Sequence, residues 1–316
     1  MSLEPLGLLF PGQGTQRQAM GEPWRAVESW SLVDDLSEWT GEDVADLLLH
    51  ADNEALRRTD LAQIAVFAVA MMAHREAERR GELTGVVACA GHSLGEYAAL
   101  VAAAALTVRD AAVLVAARGR AMREAAQLRE GTMGVLVGAA LPQVEAAVRE
   151  LTETAAAGSG EGELWVANVN APGQVVLSGA PEAIDRAAEH APGIGAKLIR
   201  VPVGGAFHSP FMQPAAAQLA KALEDVAFAP GHLPVVANVD AAPHDTGADW
   251  PELATRQLTS AVRWEESVRT LGERFGCRRF LEVGPGTTLA GMVRRILPGA
   301  EVATVAPTAV GQGAGA

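Results

Sequence analysis

Short apolar runs in this chain repeatedly end at a glycine and lead into stretches rich in alanine and leucine. Residues 6–10, 86–90 and 279–283 are such runs, and each is followed by a glycine-containing turn. An apolar run of this length is typical of a strand buried on both faces, and the stretch after it is typical of a helix. The pattern predicts an α/β fold whose parallel strands end at one edge of a sheet.

Ser93 lies in one of these strand-to-helix turns, in the sequence Gly91-His92-Ser93-Leu94-Gly95. A sharp turn needs small neighbours, which Gly91 and Gly95 supply, and the N-terminus of the following helix offers free N–H groups to a developing oxyanion. This context favours a nucleophilic serine. The alternative is that Ser93 only caps the helix that follows it.

The pattern changes in the middle of the chain, where strand, helix, two strands, helix and strand follow one another. The predicted elements are 132–138, 141–154, 164–168, 174–178, 181–190 and 196–201. That order is typical of the ferredoxin-like motif. We therefore predict a small ferredoxin-like domain at 131–200, inserted into a large α/β-hydrolase-like domain with a parallel sheet, formed by 1–130 and 201–316.

Three polar residues stand in otherwise apolar settings. Gln13 follows the first predicted strand, at the edge where α/β sheets bind ligands. Gln63 is near the start of a largely apolar helix, and a buried amide needs hydrogen-bond partners. Arg118 follows an apolar helical run, so it either meets an anionic partner in the interior or extends to water.

His208 is the candidate general base. It lies in a glycine-rich loop where the large domain resumes, and a base can be far from its serine in sequence yet close in space. The other histidines lie in polar helix or loop contexts, apart from His92. We expect the His92 side chain to point away from that of Ser93 because the two are adjacent on a turn.

Composition narrows the classes of function. The 316 residues are 49% hydrophobic and 20% charged, with a formal net charge of −13, which argues against binding to nucleic acid or an anionic membrane. The chain has 2 cysteines, far apart and outside any CxxC or Cys/His cluster, and its N-terminus lacks the pattern of a leader peptide. We expect a cytoplasmic protein without a metal site.

Six segments, taken together and in order, resemble the malonyl-CoA:acyl-carrier-protein transacylases of fatty acid and polyketide synthesis, including stand-alone acyltransferases. The resemblance extends from about residue 7 to residue 305. The segments that carry it are 11–14, 91–96, 117–120, 168–174, 205–209 and 282–286.

The resemblance implies the catalytic roles. Ser93 matches the serine that is acylated, and His208 matches the base that activates it. Gln13 and Leu94 match the positions whose backbone N–H groups form the oxyanion hole. Asn168, by contrast, falls in a family segment of less certain role.

The resemblance also implies the substrate contacts. Arg118 matches the arginine that pairs with the free carboxylate of a malonyl-type group, and Gln63 matches an amide near that pocket. Gln257 matches a residue that helps to orient the histidine. Phe207 would crowd an α-methyl group on the substrate. Gly205 stands where polyketide-type relatives carry histidine or tyrosine. This difference indicates either a transacylase of the bacterial fatty-acid type or a roomier pocket.

The implied reaction is acyl transfer from coenzyme A to the phosphopantetheine thiol of an acyl carrier protein, through an acyl-serine and without a cofactor. Family precedent favours a monomer. Two alternatives stay open: acyl transfer between two carrier proteins, and a serine thioesterase or hydrolase. An acidic carrier protein needs a basic surface, and the candidates in the C-terminal third are Arg278, Arg279, Arg294 and Arg295.

Overall fold

The computed structural model describes residues 4–157, 163–245 and 247–307. The strands are β1 Leu6–Phe10, β2 Val86–Gly91, β3 Thr132–Val137, β4 Leu164–Ala171, β5 Gln174–Gly179, β6 Lys197–Val201, β7 Val235–Val236, β8 Pro243–His244, β9 Arg279–Glu282 and β10 Glu301–Thr304. The helices are α1 Leu32–Thr40, α2 Val44–Leu49, α3 Thr59–Arg79, α4 Gly95–Ala102, α5 Val108–Leu128, α6 Leu141–Ala157, α7 Pro181–His190, α8 Gln213–Glu224, α9 Trp250–Gln257, α10 Trp264–Arg274 and α11 Thr288–Ile296. Among the described residues, none of these helices is both long and apolar enough to cross a membrane.

The larger sheet has six strands in the order β10-β9-β1-β2-β7-β8. Its neighbouring strands pair in parallel, except for β7 and β8, which are antiparallel. Both faces of the central strands are buried. Leu8 and Phe10 of β1 belong to the core that includes α3, α4 and α5, whereas Leu9 belongs to the core under α10 and α11. This alternation is the two-sided packing of an α/β protein, so the predicted fold class is confirmed.

The smaller sheet is antiparallel, with the strand order β4-β5-β3-β6. Helices α6 and α7 pack on one of its faces, where Val144 and Ile184 meet Leu136 and Leu177 in a separate core. This arrangement confirms the predicted small ferredoxin-like unit. The limits of 131 and 200, and the assignment of 1–130 and 201–316 to one large domain, stay predictions.

Strand β4 is longer than the sequence indicates. The predicted strand stops at residue 168, but β4 continues to Ala171, which places Asn170 on the strand instead of in the hairpin turn. The pairing of β4 with β5 shifts register at two places, Val166/Asn168 and Val169/Ala171. Such bulges interrupt the alternation of side chains that reveals a strand in a sequence.

The five parallel strands of the large sheet end at the same edge. Phe10 of β1 pairs with Gly91 of β2, and Ala90 pairs with Val236 of β7. The loops after β1, β2, β7 and β9 therefore start side by side, and residues from these loops can reach one another across the edge. This is the edge at which open α/β sheets place their ligand sites.

The turn after β2 depends on two glycines that face each other. A Cβ on Gly91 would lie 2.0 Å from the backbone carbonyl of Gly95, and a Cβ on Gly95 would lie 2.1 Å from the carbonyl oxygen of Phe10. Backbone cannot move away from such contacts without shifting a strand. Both positions therefore require glycine, as the sequence pattern indicates.

Candidate active site

Ser93 occupies the turn between β2 and α4 in a left-handed backbone conformation, with φ at 51°. That conformation is uncommon for a residue other than glycine, and it lifts the side chain off the end of the strand. The Ser93 Oγ lies 2.8 Å from His208 Nε2. The structure thus brings together two residues that are 115 positions apart in the sequence.

His208 is held in one orientation by the backbone of Gln257. Its Nδ1 lies 2.8 Å from the Gln257 carbonyl oxygen, which can only accept a hydrogen bond. Nδ1 therefore carries the hydrogen, and Nε2 is free to accept the Ser93 proton. Burial, followed by the positive charge of Arg118, lowers the pKa of His208 to about 3, so the imidazole is neutral at physiological pH.

Arg118 points inward and is 1% exposed, which settles the alternative that the sequence left open. Its Nη1 donates to Gln63 Oε1 at 2.7 Å, and its Nη2 donates to Gln257 Oε1 at 2.9 Å and to Ser93 Oγ at 3.0 Å. All three acceptors are neutral, and the Nε–H has no partner in the described part of the chain. A buried guanidinium with neutral neighbours and a free N–H is suited to an incoming carboxylate.

Two buried residues that the sequence analysis missed support the turn. Asn238, just after β7, accepts the Ser93 N–H at 2.7 Å, and its own N–H donates to Glu96 Oε2 at 3.0 Å. Glu96 is 2% exposed, and burial raises its pKa to about 7 although the Asn238 N–H stabilises the ionised form. The only sequence signal for this pair was that Glu96 belongs to the segment 91–96. Nothing in the sequence indicated that Glu96 would bind Asn238.

We predict that Glu96→Gln flattens the dependence of folding stability on pH. In the folded protein the Glu96 pKa of about 7 lies above its ordinary value of 4.5, so the folded state holds this proton longer than the unfolded state does. Ionisation of Glu96 should therefore remove on the order of 2–3 kcal/mol of stability as pH rises from about 4.5 to about 7. Urea unfolding at pH 5 and at pH 8 measures this loss.

The control for that experiment is Glu145→Gln, which neutralises an exposed carboxylate on α6. We expect Glu145→Gln to keep the pH dependence of the wild type. If Glu96→Gln lost as much stability as the wild type between the two pH values, the buried carboxyl group would not be the source of the loss.

Ser93 and His208 face a cavity of about 390 Å³ between the two sheets. Met133, Val135 and Val176 of the small sheet form one wall, and Met292 of α11 forms part of another. The wall also includes Phe207, whose ring fits beside Gly205: a Cβ on that glycine would lie 2.8 Å from the ring. Apolar side chains thus form much of the wall, and polar side chains such as Gln16, Arg57 and Asn168 line it as well as Ser93 and His208.

The two residues matched to an oxyanion hole lie in the loops that follow β1 and β2. Gln13 lines the cavity, and Leu94 is the next residue after Ser93. The N–H groups of the neighbouring turn residues Ser93 and Gly95 donate to Asn238 Oδ1 and to the His92 carbonyl oxygen. The Leu94 N–H has no such partner among the described residues, and it stays a candidate donor to a substrate oxygen.

His92 also reaches the cavity, but it bonds to the small sheet. Its Nε2 lies 2.9 Å from Asn170 Oδ1, and its ring packs edge-on against Trp264. Asn168 lines the same cavity. These contacts connect the turn that carries Ser93 with β4, a link that the sequence did not predict because β4 was expected to end earlier.

The four arginines suggested for carrier-protein docking lie at the start of β9 and in the last turn of α11. Arg279 is the first residue of β9 and pairs with Leu6, at the opposite end of the strands from the cavity, and Arg278 precedes it. Arg294 and Arg295 lie on α11, whose first turns line the cavity. Arg295 donates to the Pro172 carbonyl oxygen and to Gln174 Oε1, and Arg294 donates to the Val302 carbonyl oxygen. Val302 pairs with Phe280, the neighbour of Arg279, so Arg294 reaches the same end of β9 as Arg279. Docking by these four arginines stays a prediction.

Comparisons with known proteins agree with this geometry. The family described as acyl transferase domain matches residues 8–313. A malonyl CoA-acyl carrier protein transacylase of Bacillus subtilis is 36% identical, covering 93% of this chain and 91% of its own. A polyketide biosynthesis transacylase of Bacillus velezensis is 34% identical, with coverage of 91% and 95%. The crystal structure of an acyl-carrier-protein S-malonyltransferase from Burkholderia pseudomallei superposes with a TM-score of 0.87 at 33% identity and 95% coverage of each chain.

Proposed function

This chain belongs to the family of acyl transferase domains that includes the malonyl-CoA–acyl carrier protein transacylases, and from that membership we propose that it moves a malonyl group from coenzyme A to a carrier protein through an ester on Ser93. The observation that carries the proposal is Arg118. Its buried guanidinium donates to the Ser93 Oγ, and its Nε–H has no partner among the described residues, which leaves a donor for a carboxylate next to Ser93.

In the first half-reaction, His208 Nε2 takes the proton from Ser93 Oγ as the oxygen attacks the thioester carbonyl. The backbone N–H groups of Gln13 and Leu94 receive the developing negative charge. The tetrahedral intermediate collapses, the C–S bond breaks, and the proton on His208 passes to the departing thiol of coenzyme A. Ser93 is left as the malonyl ester.

In the second half-reaction, the phosphopantetheine thiol of the carrier protein replaces coenzyme A in the cavity. His208 removes the thiol proton, the sulfur attacks the ester carbonyl, and the proton returns to Ser93 Oγ as the C–O bond breaks. Throughout, Arg118 holds the malonyl carboxylate while Gln63 and Gln257 hold Arg118. A carrier protein is the expected partner because a solved relative is described as a malonyl-transacylase in complex with an acyl carrier protein.

The shape of the cavity supports a preference among acyl groups. Phe207 lies on the wall next to His208, so a methyl branch at the α-carbon meets the aromatic ring. Gly205 leaves room for that ring instead of adding a side chain to the wall. We expect malonyl to be preferred over methylmalonyl.

Intact-protein mass tests the proposal directly. The wild-type protein is mixed with malonyl-CoA, methylmalonyl-CoA or acetyl-CoA, and then with a carrier protein with or without its phosphopantetheine arm. We expect a malonyl adduct that only the armed carrier protein discharges. An adduct that forms only from carrier-bound acyl groups would favour transfer between two carrier proteins, and an adduct that water discharges at the same rate would favour a thioesterase.

A further inference from the structure

Asn238 contacts both sides of the turn that carries the nucleophile. Its side-chain Oδ1 accepts the Ser93 N–H at 2.7 Å, and its Nδ2 donates to the Gly91 carbonyl oxygen at 2.7 Å. The residue is 0% exposed, and its backbone N–H is itself fixed by Glu96 on α4. One amide therefore ties the end of β2 to the start of α4.

The turn needs such support because the backbone of Ser93 is strained. A left-handed φ is unfavourable for a residue with a side chain, and it persists where the surroundings hold it from several directions. The Ser93 carbonyl oxygen is held as well, by Gln257 Nε2 at 3.0 Å. Both polar backbone groups of the nucleophile are thus bound by side-chain amides from outside its own turn.

We propose that Asn238 is a positioning residue that fixes the backbone of Ser93 so that its Oγ stays between His208 Nε2 and Arg118 Nη2. An amide suits this position because it presents an acceptor and a donor side by side without a charge. A carboxylate would accept from Ser93 but repel the Gly91 carbonyl oxygen. An alanine would leave both backbone groups buried without partners.

The variant Asn238→Asp should make the positioning of Ser93 depend on pH. A protonated aspartic acid has an acceptor and an O–H donor in place of the amide, so it restores both contacts. Burial and the neighbouring carboxylates favour the protonated form, whereas Arg118 opposes it. The charged and titratable groups around the turn are Glu96 and Tyr97 on α4, Arg118 on α5, Asp240 after β7, Arg263 before α10, and the imidazoles of His92 and His208.

The experiment measures the reaction of Ser93 with a fluorophosphonate, in which Oγ attacks phosphorus and fluoride leaves. Because this reagent contains no malonyl group, the result does not depend on the proposed substrate. At pH 8 we expect Asn238→Asp and Asn238→Ala to react about 100-fold more slowly than the wild type. Between pH 8 and pH 6, the ratio of the Asn238→Asp rate to the wild-type rate should rise at least about tenfold.

The matched control is Asn53→Asp, the same substitution at an exposed asparagine, and its ratio to the wild type should stay near one at every pH. Asn238→Ala should stay slow at both pH values while its thermal unfolding still shows a single cooperative transition. With malonyl-CoA, kcat should fall and KM should change by less than about threefold. A reaction rate within threefold of the wild type for both Asn238 variants, or a constant ratio for Asn238→Asp, would overturn the proposal.

Discussion

Ser93→Ala is expected to remove the acyl adduct completely and to lower the rate of malonyl transfer by at least about 1000-fold. In the proposed mechanism the Ser93 hydroxyl forms the ester, and its Oγ is the atom that lies beside His208 Nε2. The two cysteines cannot substitute as nucleophiles, since both are buried and burial raises the pKa of Cys89 to about 12 and that of Cys277 to about 11. The measurement is intact mass after incubation with malonyl-CoA.

Ser31→Ala is the matched control, because Ser31 is an exposed serine whose hydroxyl donates to the Glu28 carbonyl oxygen. It should form the adduct as the wild type does. An adduct that persisted in Ser93→Ala would mean that another residue is acylated, and peptide mapping would then identify it.

Arg118→Ala is expected to lower the rate of acylation by malonyl-CoA, relative to that by acetyl-CoA, by at least about 100-fold. Acetyl-CoA has no free carboxylate, so it loses no ion pair when the guanidinium is removed. Both thioesters depend on the same Ser93 and His208, so their ratio cancels any general damage to the site. Arg118→Lys should recover only part of the ratio, because an ammonium cannot form the two parallel bonds of a guanidinium.

Arg120→Ala, two residues further along α5, removes an exposed arginine whose contact is with the Thr40 carbonyl oxygen. Its ratio of malonyl to acetyl acylation should equal that of the wild type. If Arg118→Ala slowed both thioesters equally, Arg118 would support the site without recognising the carboxylate.

Local sequence signals were sufficient to predict the fold class and the turn that carries Ser93. The apolar run before Ser93, the glycines around it and the alanine-rich helix after it predicted the turn because each is a property of neighbouring residues. The predicted fold class and family are confirmed. Strands β8 and β10 were missed because they are short, lie at the edges of the sheet and have no apolar run to mark them.

Long-range contacts could not be read from the sequence. Nothing in the segment around Asn238 indicates that its amide would meet Ser93, since that contact depends on the pairing of β2 with β7. Gln257 was expected to orient the histidine, but the sequence could not show that its backbone carbonyl does so while its side chain binds Arg118 and Ser93.

The wide spacing of the site in the sequence has a consequence for protein synthesis. Ser93 is separated from His208 by 115 residues and from Gln257 by 164 residues. A chain still growing on the ribosome therefore presents its serine before the base and the amide that complete the site have been made. Until then the Ser93 hydroxyl is an ordinary alcohol. Acylation of Ser93 therefore reports the fraction of chains in which His208 and Gln257 have been made and have folded beside it.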